Sequence, residues 1–581
     1  MVNQAKLRSF KTAPKYKYGF EIPRNFLHSQ ELDKRNGNTK WTEAHNLEME
    51  VMDNYKVFKD HGTGDKPPEG YKKIKVRMIY DVKHDGRHKA RLVAGGHLTD
   101  IPLDSVYSGV VSLRGLRLLV FLAELNNLEL WGTDITSAYL EAYTSEKVCI
   151  KAGPEFGKLC DHWLIIDKAL YGLRSSGARW HERLADCLRD EGWTSCLAEP
   201  DIWIRQDQDH YEYIAVYVDD LTIAMKDPES FVNTLKAKYK FHFKGTSPLA
   251  FQLGANFYHD SDGILSMAPR KYIERLIKNY EQTFGEKPKM TVYSPLEKGD
   301  HPELDEFELL DAEGITQYQS MIGSLQWAIS LGRFDIATAV MTMSSFCAAP
   351  RRGHIDRVKR ICGYLARMKH GTLKFRVHEP DYTDLPCNAY DWFYVYGNAH
   401  EIIPEDTPEP LGKRVTLTHY VDANLFHNAL TGRSVTGILH MVNATPVEWY
   451  SKKQATVETA TYGSEFVAAR TCVEQVIDLR NTLRYLGVPI HQHSYMFGDN
   501  ESVVSSSSIP HAKLHKRHTA LSFHCVREAV AAKYVAFNYL PGAENPADIL
   551  SKYWAYSATW DMLQCLLFWK GDTLLTNGEQ N

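Results

Sequence analysis

Two adjacent carboxylates, Asp219 and Asp220, interrupt the stretch Tyr211–Met225 (YEYIAVYVDDLTIAM) between two apolar runs. Strand-forming residues on both arms predict a β-hairpin with the acids at its turn. A solvated hairpin tip is often acidic for no chemical reason, so the pair needs a third acid to mean anything. Asp134 supplies one: it closes the strand-like part of Leu128–Leu140 (LELWGTDITSAYL), and Tyr139 lies shortly after it. Three carboxylates on neighbouring strand ends offer an all-oxygen ligand set for a hard divalent cation such as Mg²⁺. Between them, Ala169–Trp180 (ALYGLRSSGARW) is a Gly- and Ser-bearing turn with cations at Arg174 and Arg179. A second acidic set follows. Asp422 ends the strand Thr416–Ala423, Glu465 lies in a helix opening at Thr459, Asp499 ends the strand Tyr495–Asp499, and Asp548 sits near a helix start in Pro541–Leu550 (PGAENPADIL). Each of these acids alone is unremarkable; the ordered set is not.

In order, DxxxAYL, LYGLxxSxxxW and YVDD resemble the reverse transcriptase of copia-type (Pseudoviridae) LTR retrotransposon Pol proteins. Lys89–Gly95 (KARLVAG) is similar to that family's fingers motif, and Phe251–Phe257 (FQLGANF) to its primer grip. The second acid set, with Ser451–Gln454 (SKKQ) and Asn545–Lys552 (NPADILSK), resembles the RNase H region of the same elements. The similarity runs from about Trp41 to about Trp554.

The resemblance implies an α+β chain: a right-hand polymerase of fingers, palm and thumb, then an RNase H-like α/β domain with a mixed sheet. The expected division is a leader at 1–40, fingers and palm at 41–257, a thumb-like helical region at 258–376, a tether at 377–414, the RNase H-like domain at 415–560 and a tail at 561–581. The implied activity is RNA-directed DNA synthesis coupled to degradation of the RNA strand of the hybrid. Both sites would use two Mg²⁺ ions, with Mn²⁺ as an alternative. Asp134, Asp219 and Asp220 would serve one site as catalytic and metal-binding residues, and Asp422, Glu465, Asp499 and Asp548 the other. Substrate contacts are expected from Lys89, Arg91, Tyr139, Tyr171, Gly172, Arg174, Tyr217, Leu253 and Gly254. Tyr139 would exclude the ribose 2′-hydroxyl, and one of Lys236, Lys238, Lys240 and Lys244 would protonate pyrophosphate. The implied partners are an RNA template, a DNA primer, the RNA–DNA hybrid and dNTPs, with self-association or other Gag and Pol products beside them. The implied location is a virus-like particle in the cytoplasm, with the nucleus as a second site. A non-catalytic or host-adopted nucleic-acid-binding descendant is the alternative, against which all seven carboxylates argue.

Two departures from the family pattern stand out. Gly463 occupies the position, two before Glu465, where a further acid is common. Leu540–Asp548 lacks the His that many RNases H carry shortly before the last Asp.

Positioning these groups takes several domain-sized units, which 581 residues can supply. A hydrophobic content of 44% suits a packed core. The net charge of −4 is unusual for a nucleic-acid binder, so local distribution must matter more than the sum. Ten scattered Cys make neither a CxxC pair nor a zinc module, which fits a reducing compartment. There is no secretory signal and no apolar run long enough to span a bilayer, so no membrane partner is expected. No protease DTG or DSG motif and no zinc-binding integrase head is present, so the chain is expected to derive from a larger polyprotein.

Along the chain, Lys6, Arg8, Lys11, Lys15 and Lys17 form a basic arm, and Arg77–Val93 reads as a hairpin turning at Asp85-Gly86. Leu113–Asn127 reads as a buried helix. Val292–Gly314 reads as an acidic loop. Ile355 to Met368 keeps helical spacing, with Arg351, Arg352, Arg357, Lys359, Arg360, Arg367 and Lys369 on its other face. That cationic stripe, above all Arg357, Arg360 and Arg367, is expected to hold template–primer phosphates.

Overall fold

The computed structural model describes residues 14–83, 86–100, 106–385, 390–514 and 516–568. Helix α1 (Phe26–Asn36) leads directly into α2 (Lys40–Asn54). Asp33, buried near the end of α1, accepts from the backbone N–H groups of Trp41 and Thr42 at 3.1 and 2.7 Å, satisfying donors that a helix start leaves free. Leu32 and Trp41 bury in the same core, so 26–40 is a packed part of the first unit and not the leader expected there. Lys6, Arg8 and Lys11 of the basic arm lie outside the described residues.

Strands β1 (Val76–Val82) and β2 (His88–Ala94) pair antiparallel, with Val82 opposite His88. Asp85 of the expected turn lies outside the described residues.

Helix α3 (Leu113–Asn126) is buried almost all round because it underlies a sheet. That sheet takes β3 (Glu129–Ile135) before helix α4 (Ser176–Asp190), and then β4 (Ile202–Asp207), β5 (His210–Tyr217) and β6 (Asp220–Met225). Helix α5 (Pro228–Tyr239) precedes the last strand, β7 (Phe243–Pro248). Beyond a two-residue edge strand at Thr194–Ser195, the order is β4-β5-β6-β3-β7, all antiparallel. Tyr213, Ala215 and Ala224 face α3, while Ile214, Val216 and Ile223 face α4 and α5. Burial on both faces is why the hairpin reads as continuous apolar runs and not as alternation.

Strands β8 (Ala255–His259) and β9 (Leu265–Ala268) lead to four helices: α6 (Arg270–Phe284), α7 (Ala312–Ser330), α8 (Ala337–Ser344) and α9 (Arg352–Arg367). Their core holds a buried ion pair, Arg333 Nη2 to Asp335 Oδ2 at 2.6 Å, with the Tyr364 hydroxyl donating to the same oxygen at 2.7 Å.

The last unit has strands β10 (Leu417–Asn424), β11 (Val435–Val442) and β12 (Thr445–Lys453), then helix α10 (Thr461–Tyr485) and strand β13 (Ser494–Gly498). Helices α11 (Glu501–Ser508) and α12 (Ala520–Ala531), strand β14 (Val535–Tyr539) and helices α13 (Asp548–Ser551) and α14 (Tyr556–Leu567) complete it. The sheet order is β12-β11-β10-β13-β14, with β10, β13 and β14 mutually parallel and β11 and β12 antiparallel. Helices α10 and α12 cover one face; α8, α13 and α14 reach the other.

Two expected boundaries shift. The described residues between 377 and 414 carry little regular structure, yet the expected tether is bonded to the last unit. Glu401 pairs with Arg480 and Arg484, each at 2.7 Å, and the Tyr382 hydroxyl lies 2.9 Å from Thr418. Helix α14 buries Leu563 and Leu567, so the expected tail from 561 begins as packed helix. Among the described residues, no helix is long and apolar enough to cross a membrane.

Candidate active sites

The β5–β6 turn consists of Val218 and Asp219, since Tyr217 pairs with Asp220. Val218 has φ 59°, a costly conformation for a β-branched residue. It is held there by the Trp180 indole, which donates to the Val218 carbonyl at 2.7 Å. The tryptophan of LYGLxxSxxxW therefore braces the acidic turn. Asp220 faces Asp134 across β6 and β3, and Lys244 faces Asp134 across β7 and β3. The Ile135 N–H donates to the Asp219 carbonyl at 2.8 Å. Burial, then Asp219, raises the proton affinity of Asp134. Burial, then Asp219 and Asp134, raises Asp220 to about 6. Crowded carboxylates that resist ionisation are what a bound cation relieves.

Over this turn opens a cavity of about 550 Å³ whose walls include Asp134, Asp219, Lys244 and Tyr171 and four fingers cations, Lys83, Arg87, Lys89 and Arg91. Burial, and then Arg91 and Lys83, lowers the proton affinity of Lys89, with Glu48 and Asp134 pulling the other way. Sequence reading named Lys89 and Arg91 but missed Lys83 and Arg87. The hairpin alternation that puts 83, 87, 89 and 91 near one mouth was readable, but their common target was not.

Tyr139 lies in a short turn after Ser137, whose φ is 54°. Its ring leans on Tyr171 with centroids 5.2 Å apart, and the Arg91 guanidinium lies 5.0 Å over Tyr171. Gly172, at φ 91°, brings the LYGL turn so close to the fingers that a Cβ would collide with the Ala94 carbonyl. Arg174 donates to the Gly96 carbonyl at 2.9 Å. Leu253 and Gly254 form a tight turn, with φ 49° and 101°, between the two arms of the FQLGANF hairpin. Tyr217 is half-buried against the α3 core.

The second cluster forms where β10 and β13 run side by side. Oxygens of Asp422, Glu465 and Asp499 lie within 4.8 Å of one another. Burial, then Asp422, raises the proton affinity of Asp499, and burial, then Asp422 and Asp499, raises Glu465 well above the usual range. Asp548 is delivered by α13, which sits directly on Gly437: a Cβ there would meet the Ala547 carbonyl oxygen at 2.6 Å. Asn545 pins the segment by donating to the Val421 carbonyl at 3.0 Å. Gln454 ties β11 to the first turn of α10, donating to Thr436 at 3.0 Å and the Ser464 carbonyl at 2.9 Å. Burial, then Asp422, raises Asp548 to about 6. Lys552 was overlooked as a site residue. Its Nζ lies 3.1 Å from Asp422 Oδ1 and 2.6 Å from Asp548 Oδ1, and the Ser551 hydroxyl donates to Asp422 Oδ2. The i,i+4 spacing of Asp548 and Lys552 was the available signal. A Cβ at Gly463 would collide with the Glu458 carboxylate. Glu458 is in turn bonded by His518 Nε2 at 3.0 Å.

The expected cationic stripe on α9 needs correction. Arg357 pairs with Asp300 at 2.7 Å and Asp305 at 2.8 Å, and Arg360 with Glu297 at 2.8 Å. Arg352 pairs with Glu308 at 3.2 Å, and Lys359 with Glu286 at 2.9 Å. Arg367 lies 3.6 Å over the Tyr293 ring and donates to the Met290 carbonyl. The acidic loop folds onto the helix and supplies carboxylates to Arg352, Arg357 and Arg360, so Arg357 and Arg360, like Arg367 on Tyr293, contact protein where phosphate was expected. Among the pyrophosphate candidates, Lys238 is engaged by Asp190 at 2.7 Å and Glu191 at 2.8 Å, while Lys244 lines the cavity.

Residues 63–298 match the family model described as reverse transcriptase (RNA-dependent DNA polymerase). The chain is similar to the retrovirus-related Pol polyprotein from transposon TNT 1-94 of Nicotiana tabacum, 26% identical over 507 residues, covering 84% of this chain and 35% of the relative. It is likewise similar to that from transposon RE1 of Arabidopsis thaliana, 25% identical over 500 residues, covering 84% of this chain and 31% of the relative. The chain thus spans about a third of the length of these curated relatives. A putative transposon Ty5-1 protein of Saccharomyces cerevisiae is 25% identical over 351 residues, covering 59% of this chain and 100% of the relative. Among solved structures, the foamy viral protease–reverse transcriptase in complex with an RNA/DNA hybrid aligns at 12% identity and TM-score 0.38, covering 91% of this chain and 65% of that one.

Proposed function

We infer that this chain, a copia-type retrotransposon Pol protein whose residues 63–298 belong to the reverse transcriptase family, copies RNA into DNA and cleaves the RNA of the resulting hybrid. The observation that carries the reading is a pair of separate carboxylate clusters in one chain, the first facing a wall of cations across a cavity of nucleotide size.

In the palm, Asp134, Asp219 and Asp220 would hold divalent cations, and in the last unit Asp422, Glu465, Asp499 and Asp548 would do so. The all-oxygen donor sets and the raised proton affinities of five of these acids fit such ions. When bound, paired Mg²⁺ ions supply stabilisation to the attacking and leaving oxygens of an in-line displacement.

The chain's own residues do the rest. Lys83, Arg87, Lys89 and Arg91 bind and orient the triphosphate of an incoming dNTP, neutralising charge that grows as pyrophosphate departs. The primer 3′-hydroxyl would release its proton to solvent as its oxygen bonds to the α-phosphorus and the bond to the bridging oxygen breaks, and Lys244, on the cavity wall, would give a proton to pyrophosphate. Tyr171, backed by Tyr139, forms the wall against which the sugar rests. In the last unit, water replaces the primer hydroxyl as nucleophile, and the 2′-hydroxyl marks the RNA strand.

The test is a paired substitution in the full chain. Asp219→Asn should abolish extension of oligo(dT) on poly(rA) and leave cleavage of a labelled RNA–DNA hybrid largely intact. Asp499→Asn should do the reverse. Loss of both activities in either folded variant would overturn the assignment of two independent sites.

A further inference from the structure

Lys552 has no role in the reading above, yet it is the cation nearest the second cluster. Its ammonium sits between Asp422 and Asp548, at 3.1 and 2.6 Å. The oxygens of Asp422, Glu465 and Asp499 meet on another side, within 4.8 Å of one another. Asp422 is therefore shared by two cation positions, one filled by the chain's own side chain. The geometry is built. Lys552 follows the single turn α13, in extended conformation with φ −125° and ψ 158°, and its side chain folds back over that turn to Asp548. Asn545 and Gly437 fix the turn against β10 and β11, and Ser551 holds the other oxygen of Asp422. The Lys552 side chain is 34% exposed, so it has a route into solvent when it leaves.

We propose that Lys552 is a resident cation that occupies one of the two divalent-ion positions of the second cluster and must be displaced before the second ion loads. The inference rests on reading that cluster as a two-ion RNase H site. An ammonium of single charge at 2.6–3.1 Å is a weaker occupant than Mg²⁺, whose oxygen ligands stand at about 2.0–2.1 Å, so displacement is feasible but opposed. The two ions should consequently bind unequally: the first among Asp422, Glu465 and Asp499, the second only as Lys552 swings away. The protein would then stay sparingly loaded until the ion concentration is high enough to pay for that swing.

Ion binding can be measured without any hybrid. The full chain carrying Asp134→Asn and Asp219→Asn, which removes the palm ligands, is titrated with Mn²⁺ by calorimetry. Lys552→Met, Lys552→Gln and Lys552→Arg are added to that background, with folding checked by circular dichroism. Two unequal sites are expected in the parent. The weaker should tighten about tenfold with Met or Gln, on the scale of changes next to metal ligands, and stay weak with Arg. A weaker-site affinity within threefold of the parent in both neutral variants overturns the proposal. Hybrid cleavage by the Asp499→Asn variant reports separately on the RNase H reading, so a shift in ion binding beside unaltered cleavage there would leave Lys552 assigned and remove the reading.

Discussion

Tyr139 is one residue removed from the cavity of about 550 Å³: Tyr171 forms its wall and the Tyr139 ring leans on Tyr171 at 41°, 5.2 Å between centroids. A gate of two rings makes a sharper prediction than one. Tyr139→Val should let Tyr171 tilt back and admit a 2′-hydroxyl, lowering the ratio of kcat/KM for dCTP over CTP about tenfold, or 1.4 kcal/mol. If Tyr139 only packs, the ratio stays constant while the melting temperature falls. Lys244 and Lys238 give a matched control. Lys244→Ala should lower kcat about a hundredfold, the low end for a lost general acid, whereas Lys238→Ala, already engaged by Asp190 and Glu191, should leave kcat within a factor of two or so. Single-nucleotide incorporation kinetics decide both. At this scale the seven acids stand out in the chain because Asp134, Asp219, Asp220, Asp422 and Asp499 lie near strand ends, and Glu465 and Asp548 lie early in helices. Lys552 shows in the chain only as the i,i+4 partner of Asp548, because its contact with Asp422 joins residues far apart in sequence and adjacent only in space.

At the level of elements, periodicity was a sound guide and charge was not. Helix α9 lies where its apolar spacing put it, but Arg352, Arg357, Lys359 and Arg360 are paired with acids far upstream, such as Asp300 and Asp305. Local composition cannot reveal a loop that folds back. Likewise, residues 26–36 showed little periodicity because α1 buries only a narrow stripe, Ser29, Leu32 and Asp33. The consequence for α9 is mechanical. Arg357→Gln would strand Asp305, which is 3% exposed, and should cost about 3 kcal/mol of stability in urea denaturation, the lower end for breaking a buried pair. The slope of log K against log salt for a primer–template duplex should not change, since Asp300 and Asp305 already hold the Arg357 guanidinium. A flattened slope with unchanged stability would return α9 to the nucleic-acid surface.

Across the whole molecule, the last unit is fused to the palm and helical region through apolar and buried polar contacts. Leu417, Val447, Leu479 and Leu483 share one core with Leu116 and Leu119 of α3. Arg117, fully buried, donates to the carbonyls of Val447 and Ser330 at 2.7 and 2.9 Å, and Thr338 of α8 donates to the Ile549 carbonyl at 2.9 Å. At this seam His427 lies 3.2 Å from Thr342 Oγ1 and 2.9 Å from Asn424 Nδ2, with its ring against Tyr553. Burial lowers its pKa to about 4; Glu303 opposes the shift, while Lys453 and His301 add to it. A histidine whose folded pKa is depressed contributes stability that is present above its unfolded value of about 6.5 and is lost as pH falls toward 4. At pH 5 the loss from His427 alone should be about 2 kcal/mol, since 1.36 kcal/mol accompanies each pH unit below 6.5. Asp220 and Asp548, with pKa values raised to about 6, act in the opposite sense over the same range, so the raw acid profile is ambiguous. A difference measurement removes them. His427→Gln should be less stable than wild type at pH 7.5, having lost a fitted partner, but should lose about 2 kcal/mol less between pH 7.5 and pH 5. Urea denaturation of both proteins at the two pH values gives that difference directly. Equal losses would mean that His427 is protonated without penalty and that the seam is open to water.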